Sequence, residues 1–159
     1  MIQIIESILN ESELEFLDKI CSNFVNSPQY DELDGFYKTY NSMFIDEYKE
    51  LDRFREEVSK LNPGYNLNNP GIFINKVDSL KNQNDKYHND GSARTIIVYL
   101  NENFEGGEFE YVLNNKIHHI QPKRNLTLLM DRSIPHRVLP VKSGTRYSLV
   151  TWFNGNSLI

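Results

Sequence analysis

Four residues carry the most suggestive chemistry in this chain: His88, Asp90, His136 and Arg146. His88 and Asp90 lie in the stretch Tyr-His-Asn-Asp-Gly, residues 87–91. On extended backbone, residues i and i+2 point the same way, so an imidazole and a carboxylate face one spot while Asn89 points away. Such a mixed nitrogen and oxygen pair suits a metal ion, although H-x-D alone recurs by chance. His136 follows at the start of a strand-like stretch and supplies a second imidazole. Two imidazoles and one carboxylate on one face of a metal leave its other positions open. A structural zinc site would close all four.

Open positions matter when a cosubstrate and O2 must reach the metal directly, which is the requirement of non-haem Fe(II) chemistry. Arg146 belongs to Thr-Arg-Tyr-Ser-Leu-Val-Thr-Trp-Phe, residues 145–153. Read as a strand, this places Arg146, Ser148, Val150 and Trp152 on one face and Tyr147, Leu149, Thr151 and Phe153 on the other. A guanidinium in such apolar company is costly unless an anion meets it. Its planar fork suits a carboxylate gripped at two points. A ligand carboxylate is one candidate partner; Asp131 or a surface glutamate is the other. Tyr99 ends an apolar run and either fills the core or aims its hydroxyl at the same carboxylate. His118 and His119 are adjacent on a predicted hairpin arm, so they point to opposite faces and fit packing or surface roles. One of them would serve as a ligand only if the set His88, Asp90 and His136 failed.

Strands must position these groups. From residue 71 onward the pattern is one of strands and turns. Residues 71–77, 94–100, 108–113, 116–122, 125–130, 136–141 and 145–153 read as strands, with 94–100 apolar on both faces and therefore central. Asn114 and Asn115 mark a tight hairpin turn, and Gly106 and Gly107 serve the turn before it. Seven or eight short strands in this space predict a double-sheet jelly roll. Before residue 70 the spacing predicts helices. Leu14, Leu17, Cys21 and Phe24 form one stripe over 10–25, capped by Asn10 or by Ser12 with Glu15. Phe44, Ile45, Tyr48, Leu51, Phe54 and Val58 form another over 44–61, stopped by Asn-Pro-Gly. The expected fold class is α+β, one domain over 1–159: helical support over 1–70, packed outside a cupin-like core over 71–159.

A chain of 159 residues with 39% hydrophobic and 25% charged residues can bury a core of its own. Its net charge of −5 disfavours a nucleic-acid partner. The single cysteine, Cys21, precludes an internal disulfide and reads as a buried, inert thiol. The N-terminus lacks a basic start, and no apolar run approaches membrane-spanning length, so a cytoplasmic location away from membranes is expected.

Taken together, Tyr-His-Asn-Asp-Gly, Ile-Ile-Val-Tyr-Leu-Asn, Gly-Gly-Glu-Phe-Glu-Tyr, the run from Leu128 to Val141 and the run from Gly144 to Phe153 resemble the 2-oxoglutarate and Fe(II)-dependent dioxygenases. The likeness is to their prolyl-hydroxylase-like branch, in order and spacing, over residues 71–153. The resemblance implies a double-stranded β-helix with Fe(II) held by His88, Asp90 and His136. It implies that Arg146, helped by Tyr99, grips the far carboxylate of 2-oxoglutarate, with Ser148 and Trp152 beside it in the cosubstrate pocket. Asp131 and Arg132 are expected to support the site rather than ligate. Val77 departs from the family, many of whose members hold a tyrosine there. The implied reaction uses O2, with ascorbate a candidate reductant, to hydroxylate a C–H bond while 2-oxoglutarate becomes succinate and CO2. Asp90 favours hydroxylation, because related halogenases lack the carboxylate. A prolyl residue of a peptide or protein is the leading substrate. A free amino acid or other small molecule is the alternative, as is a non-catalytic cupin-like binding module. A nucleic-acid demethylase is disfavoured because Trp152 stands where those relatives keep a second arginine. The polar loop over 78–86 is expected to border the entrance.

Overall fold

The computed structural model describes residues 1–25, 41–79 and 86–155. Its elements in chain order are β1 (Ile2–Glu6), α1 (Glu11–Ser22), β2 (Asn41–Phe44), a 3-10 turn (Lys49–Leu51), α2 (Asp52–Lys60) and β3 (Tyr65–Asp78). Then come β4 (Arg94–Tyr99), β5 (Glu105–Gly106), β6 (Phe109–Leu113), β7 (Lys116–Ile120), β8 (Leu126–Asp131), β9 (His136–Val138), β10 (Val141–Ser143) and β11 (Thr145–Gly155). The strands form a six-stranded sheet in the order β1-β8-β4-β11-β3-β2, a three-stranded sheet β7-β6-β9, and the pair β10-β5. Every pairing is antiparallel. This is the double-stranded β-helix that the strand count predicts.

Alternation along β4 and β11 divides the core into two clusters. On the outer face of the large sheet, Ile72, Ile74, Ile96, Val98, Leu129, Leu149 and Phe153 pack with Leu14 and Leu17 of α1 and with Phe54 and Val58 of α2. Both helices therefore cover the sheet from outside, as expected. On the inner face, Phe73, Ile97, Tyr99, Leu128, Met130 and Val150 pack with Phe109 of the small sheet. Asn10 caps α1: its side chain accepts from the Glu13 N–H at 2.8 Å, and Glu13 accepts from the Asn10 N–H at 2.9 Å. The capping box thus runs from Asn10 to Glu13, not from Ser12 to Glu15. Glu13 is buried and pairs with Arg53, tying α1 to α2. Cys21 is only half-buried, and burial, aided by Asp18, pushes its thiol up to about 12, which keeps it inert.

Residues 44–61 depart from the single predicted helix. Only Asp52–Lys60 is α-helical, while Asn41–Phe44 pairs with β3. The Ile45 N–H donates to the Ile72 carbonyl at 2.9 Å, and Asp46 Oδ1 accepts from the Gly71 and Ile72 N–H groups at 2.7 and 3.0 Å. These bonds to β3 hold the backbone where a first helical turn would need to close on itself. Phe44 meets Phe73 edge-on at 5.4 Å, a strand contact that satisfies the same apolar pattern. With β1, β2 and the start of β3 inside residues 1–70, that half is less helical than its spacing suggests. Among the described residues, no helix is long and apolar enough to cross a membrane.

Candidate metal and carboxylate site

His88 and His136 face each other across an isolated antiparallel bridge. Each N–H donates to the other residue's carbonyl at 2.9 Å, so both side chains leave the bridge on one side. Their rings lie 4.4 Å apart. Asp90, two residues on, turns the same way, with Oδ1 at 3.7 Å from His88 Nε2 and 3.6 Å from His136 Nε2. The three donor atoms lie within 4.8 Å of one another, a cluster able to hold one metal ion. His136 Nδ1 contacts the Ile134 carbonyl at 2.9 Å and His88 Nδ1 the Lys86 carbonyl at 3.2 Å. A proton on each Nδ1 directs both Nε2 lone pairs to the centre. Burial pushes the His136 imidazole below its ordinary range and His88 adds to this, against the opposing pulls of Asp90 and the Ile134 carbonyl. The neutral ring that results is the form that binds a metal.

Asp90 is braced from behind. The Thr95 hydroxyl on β4 donates to Oδ2, leaving Oδ1 for the cluster, and Ser92 Oγ meets Thr95 Oγ1 at 2.9 Å. Asn89 sends its amide to the Arg132 carbonyl at 2.6 Å, and Arg132 Nη2 donates to the Gly91 carbonyl at 2.7 Å. Arg132 therefore supports the loop, and Asp131 pairs with Arg94 at 3.1 Å. Phe109 stacks on His136 at 5.2 Å and covers it.

The second polar focus lies on β11 and β4. Ser148 is opposite Tyr99 and Arg146 opposite Val77. Arg146, Ser148 and Tyr99 are 3%, 1% and 0% exposed, which leaves them almost no access to water. Yet among the described residues Arg146 Nε, Ser148 Oγ and Tyr99 Oη have no hydrogen-bond partner. The Arg146 guanidinium lies 5.3 Å from the Tyr99 ring centre. Among the described residues no carboxylate pairs with it, and Asp131 is taken by Arg94 and the N-terminus. Burial raises the Tyr99 hydroxyl above its ordinary value, although Arg146 pulls it back, and the phenol stays protonated at working pH. Gly107 packs beneath the arginine: its φ is +69°, and a Cβ there would meet Arg146 Cδ at 3.3 Å and Val141 Cγ2 at 3.0 Å.

One cavity of about 620 Å³ joins the two foci, lined by His88, Asp90 and His136 at one end and by Arg146 and Ser148 at the other. Trp152 lines it too, edge-on to Phe73 at 4.4 Å. Opposite Trp152, β3 loses register between Ile72 and Leu67, and Asn68 from this bulge joins the wall with Ser42 and Asn75. Thr95, Ser92, Asn68 and Asn75 escape notice in the sequence. Strand alternation could have marked Thr95, which shares the inward face of β4 with Ile97 and Tyr99. His118 stacks on Tyr111 at 5.0 Å while His119 pairs with Glu110 at 3.4 Å, so they point oppositely and both lie outside the metal cluster. Of the loop over 78–86, residues 80–85 lie outside the described residues.

Comparisons with known proteins agree with this geometry. Residues 72–154 match the model of the 2OG-Fe(II) oxygenase superfamily, and the chain belongs to that family of dioxygenases. No curated protein sequence matches. In solved structures, the fold resembles that of a prolyl-4-hydroxylase from Pseudomonas putida, with a TM-score of 0.75 at 16% identity over 98% of this chain and 93% of that one. It also resembles the viral collagen prolyl hydroxylase of Paramecium Bursaria Chlorella virus-1 in its 2OG complex, with a TM-score of 0.72 at 18% identity over 97% and 95%. A Trichoplax adhaerens prolyl hydroxylase, solved with a hypoxia inducible factor peptide fragment, gives 0.72 at 22% identity over 97% and 83%. In fold the chain is thus prolyl-hydroxylase-like.

Proposed function

We propose that this dioxygenase hydroxylates a prolyl residue of a peptide or protein, with His88, Asp90 and His136 as iron ligands and Arg146, Tyr99 and Ser148 as the seat of the 2-oxoglutarate far carboxylate. The observation that carries the reading is the pairing of the two foci in one cavity. A donor set of two imidazoles and a carboxylate fits Fe(II). At the other end, a buried guanidinium and two buried hydroxyls, whose Nε, Oγ and Oη lack partners among the described residues, fit an anion that supplies the missing bonds. Neither feature alone would distinguish an enzyme from a packed barrel.

Iron and 2-oxoglutarate, when bound, supply the oxidative decarboxylation and the C–H hydroxylation. The chain's own residues arrange this chemistry. The Nδ1 contacts to the Lys86 and Ile134 carbonyls orient the imidazoles, and Thr95 orients Asp90. Arg146 neutralises the far carboxylate where little water competes, which strengthens the pairing. The protonated Tyr99 hydroxyl donates a further hydrogen bond, and Ser148 offers another. Phe109 and Trp152 keep apolar surface against the reacting centre and limit water. On the cavity wall, Ser42 donates to Asn75, and Asn68 Oδ1 has no partner among the described residues and can accept from a peptide N–H. The prolyl-hydroxylase neighbours and the peptide seated on the Trichoplax protein support the substrate class.

The test is turnover of purified protein with Fe(II), 2-oxoglutarate and a panel of proline-containing peptides, reading succinate and hydroxyproline by mass spectrometry. Succinate rising with peptide, and a hydroxyl on proline, is the expected result. Succinate stimulated only by free amino acids would move the substrate to that class. Neither metal uptake nor succinate under any condition would leave a binding module.

A further inference from the structure

The segment that carries His88 and Asp90 meets the small sheet, among the described residues, through one backbone bridge. This link is the isolated bridge from His88 to His136 at the start of β9. Two ligands separated by nearly fifty residues in sequence must nevertheless keep a fixed spacing, and two backbone hydrogen bonds are little to ensure it. The side chains next to the bridge add to the braces from Thr95, Asn89 and Arg132. Because residues alternate across extended backbone, the neighbours of the two histidines, Tyr87 and Arg137, lie on the face away from the metal cluster. There both bond the same group: the Tyr87 hydroxyl and Arg137 Nε, the latter at 2.6 Å, donate to Glu110 Oε1. The Arg137 guanidinium also lies 4.6 Å from the Tyr87 ring centre. Glu110 is itself 4% exposed, opposite Arg137 on β9 and His119 on β7, and His119 Nε2 reaches its other oxygen at 3.4 Å.

From this geometry we infer that Glu110 is a positioning residue for the metal. Its carboxylate latches the residue before one histidine ligand to the residue after the other, and so sets their separation from the outer face of the sheet. The inference rests on the reading of His88, Asp90 and His136 as metal ligands, but Glu110 and Arg137 lie outside the lining of the cavity, and Tyr87 borders it from the rim. Glu110 anchors the latch from a strand paired on both sides, which makes β6 the reference against which the His88 segment is held. Tyr87 is the accessible end, at 39% exposure. A carboxylate buried against an arginine, a tyrosine and a histidine is more than folding of this hairpin requires. Its location directly behind the cluster gives it a purpose.

The experiment compares wild type with Tyr87→Phe, Glu110→Gln and the double variant. It measures Co(II) affinity by calorimetry, the electronic spectrum of the Co(II) form, and the melting temperature of the metal-free protein. Tyr87→Phe keeps the ring under Arg137 and removes only the hydroxyl bond, so it folds even if Glu110→Gln does not. The expectation is about a ten-fold loss of Co(II) affinity in each single variant, the size typical of groups that orient metal ligands. The double variant should lose little more, the spectrum should change, and the melting temperature of Tyr87→Phe should stay close to wild type, whereas Glu110→Gln, which takes the charged partner from Arg137, should melt lower. A merely structural role would lower the melting temperature and leave affinity and spectrum of the folded protein alone. Wild-type affinity and spectrum in both single variants would overturn the latch. Absence of Co(II) binding in wild type would instead overturn the metal reading, and the latch with it.

Discussion

The two ends of the cavity are built on opposite principles. At one end, Arg146 and Ser148 line the cavity from β11, with Ser148 paired on one side to β3 and on the other to Tyr99 of β4, and Arg146 Nε, Ser148 Oγ and Tyr99 Oη have no hydrogen-bond partner among the described residues. At the proposed metal end, His88, Asp90 and His136 come from a bridge and a loop, and their neighbours are bonded: Thr95 to Asp90, Asn89 to Arg132, Tyr87 to Glu110. The difference follows from what each end must hold. A rigid sheet tolerates unsatisfied groups because it cannot rearrange to pair them, so they remain available to a ligand. A site assembled from distant segments has no such frame and needs braces to keep its ligands in place.

This contrast breaks most completely at His136. Replacing it by alanine should abolish stoichiometric Fe(II) or Co(II) binding in calorimetry, since one of the three donors goes. Arg146→Met should weaken 2-oxoglutarate binding by roughly ten- to a hundred-fold, the cost of a charge-assisted bidentate contact, while Co(II) affinity stays unchanged. The same variant should melt at or above wild type without ligand, because an uncompensated buried guanidinium costs stability. Equal loss of both affinities would show that the ends are not separable. Acid should act at the metal end alone. The folded His136 imidazole is held below its unfolded value, so the folded state takes up fewer protons as pH falls through the usual imidazole range. Metal-free stability and metal affinity should both decline there, readable as melting temperature and Co(II) titration between about pH 7 and pH 5. The smallest effect belongs to Thr95→Val, where one brace on Asp90 is lost and a few-fold drop in Co(II) affinity is expected, near the lower bound for such partners.

Much of this was legible from residue types. The i, i+2 geometry of extended chain puts His88 and Asp90 together, and alternation along residues 145–153 separates the Arg146 face from the Leu149 face as the structure has it. The Asn114–Asn115 turn was legible too: both residues take positive φ, 52° and 59°, as a two-residue hairpin demands. What failed had a physical cause. Phe44, Ile45 and Tyr48 are apolar at spacings that either element would accept, and Asp46 decided the matter by bonding to β3 across a long stretch of chain. β1 carries no strong alternation because much of it is exposed at the sheet edge, and its pairing with β8 comes from the far end of the sequence. The Glu110 latch was invisible for the same reason: its partners are close in space and remote in order.

Gly107 invites a different reading from the turn it helps to make. Arg146 is long and flexible, and nothing charged among the described residues holds its head. Its stem, however, runs over a position where even one methyl group would crowd it. The reach of the guanidinium into the cavity is therefore gauged from below by a side chain that is not there. Evolution of this pocket toward longer or shorter diacids could proceed by altering the ground on which the arginine lies, with the arginine itself untouched.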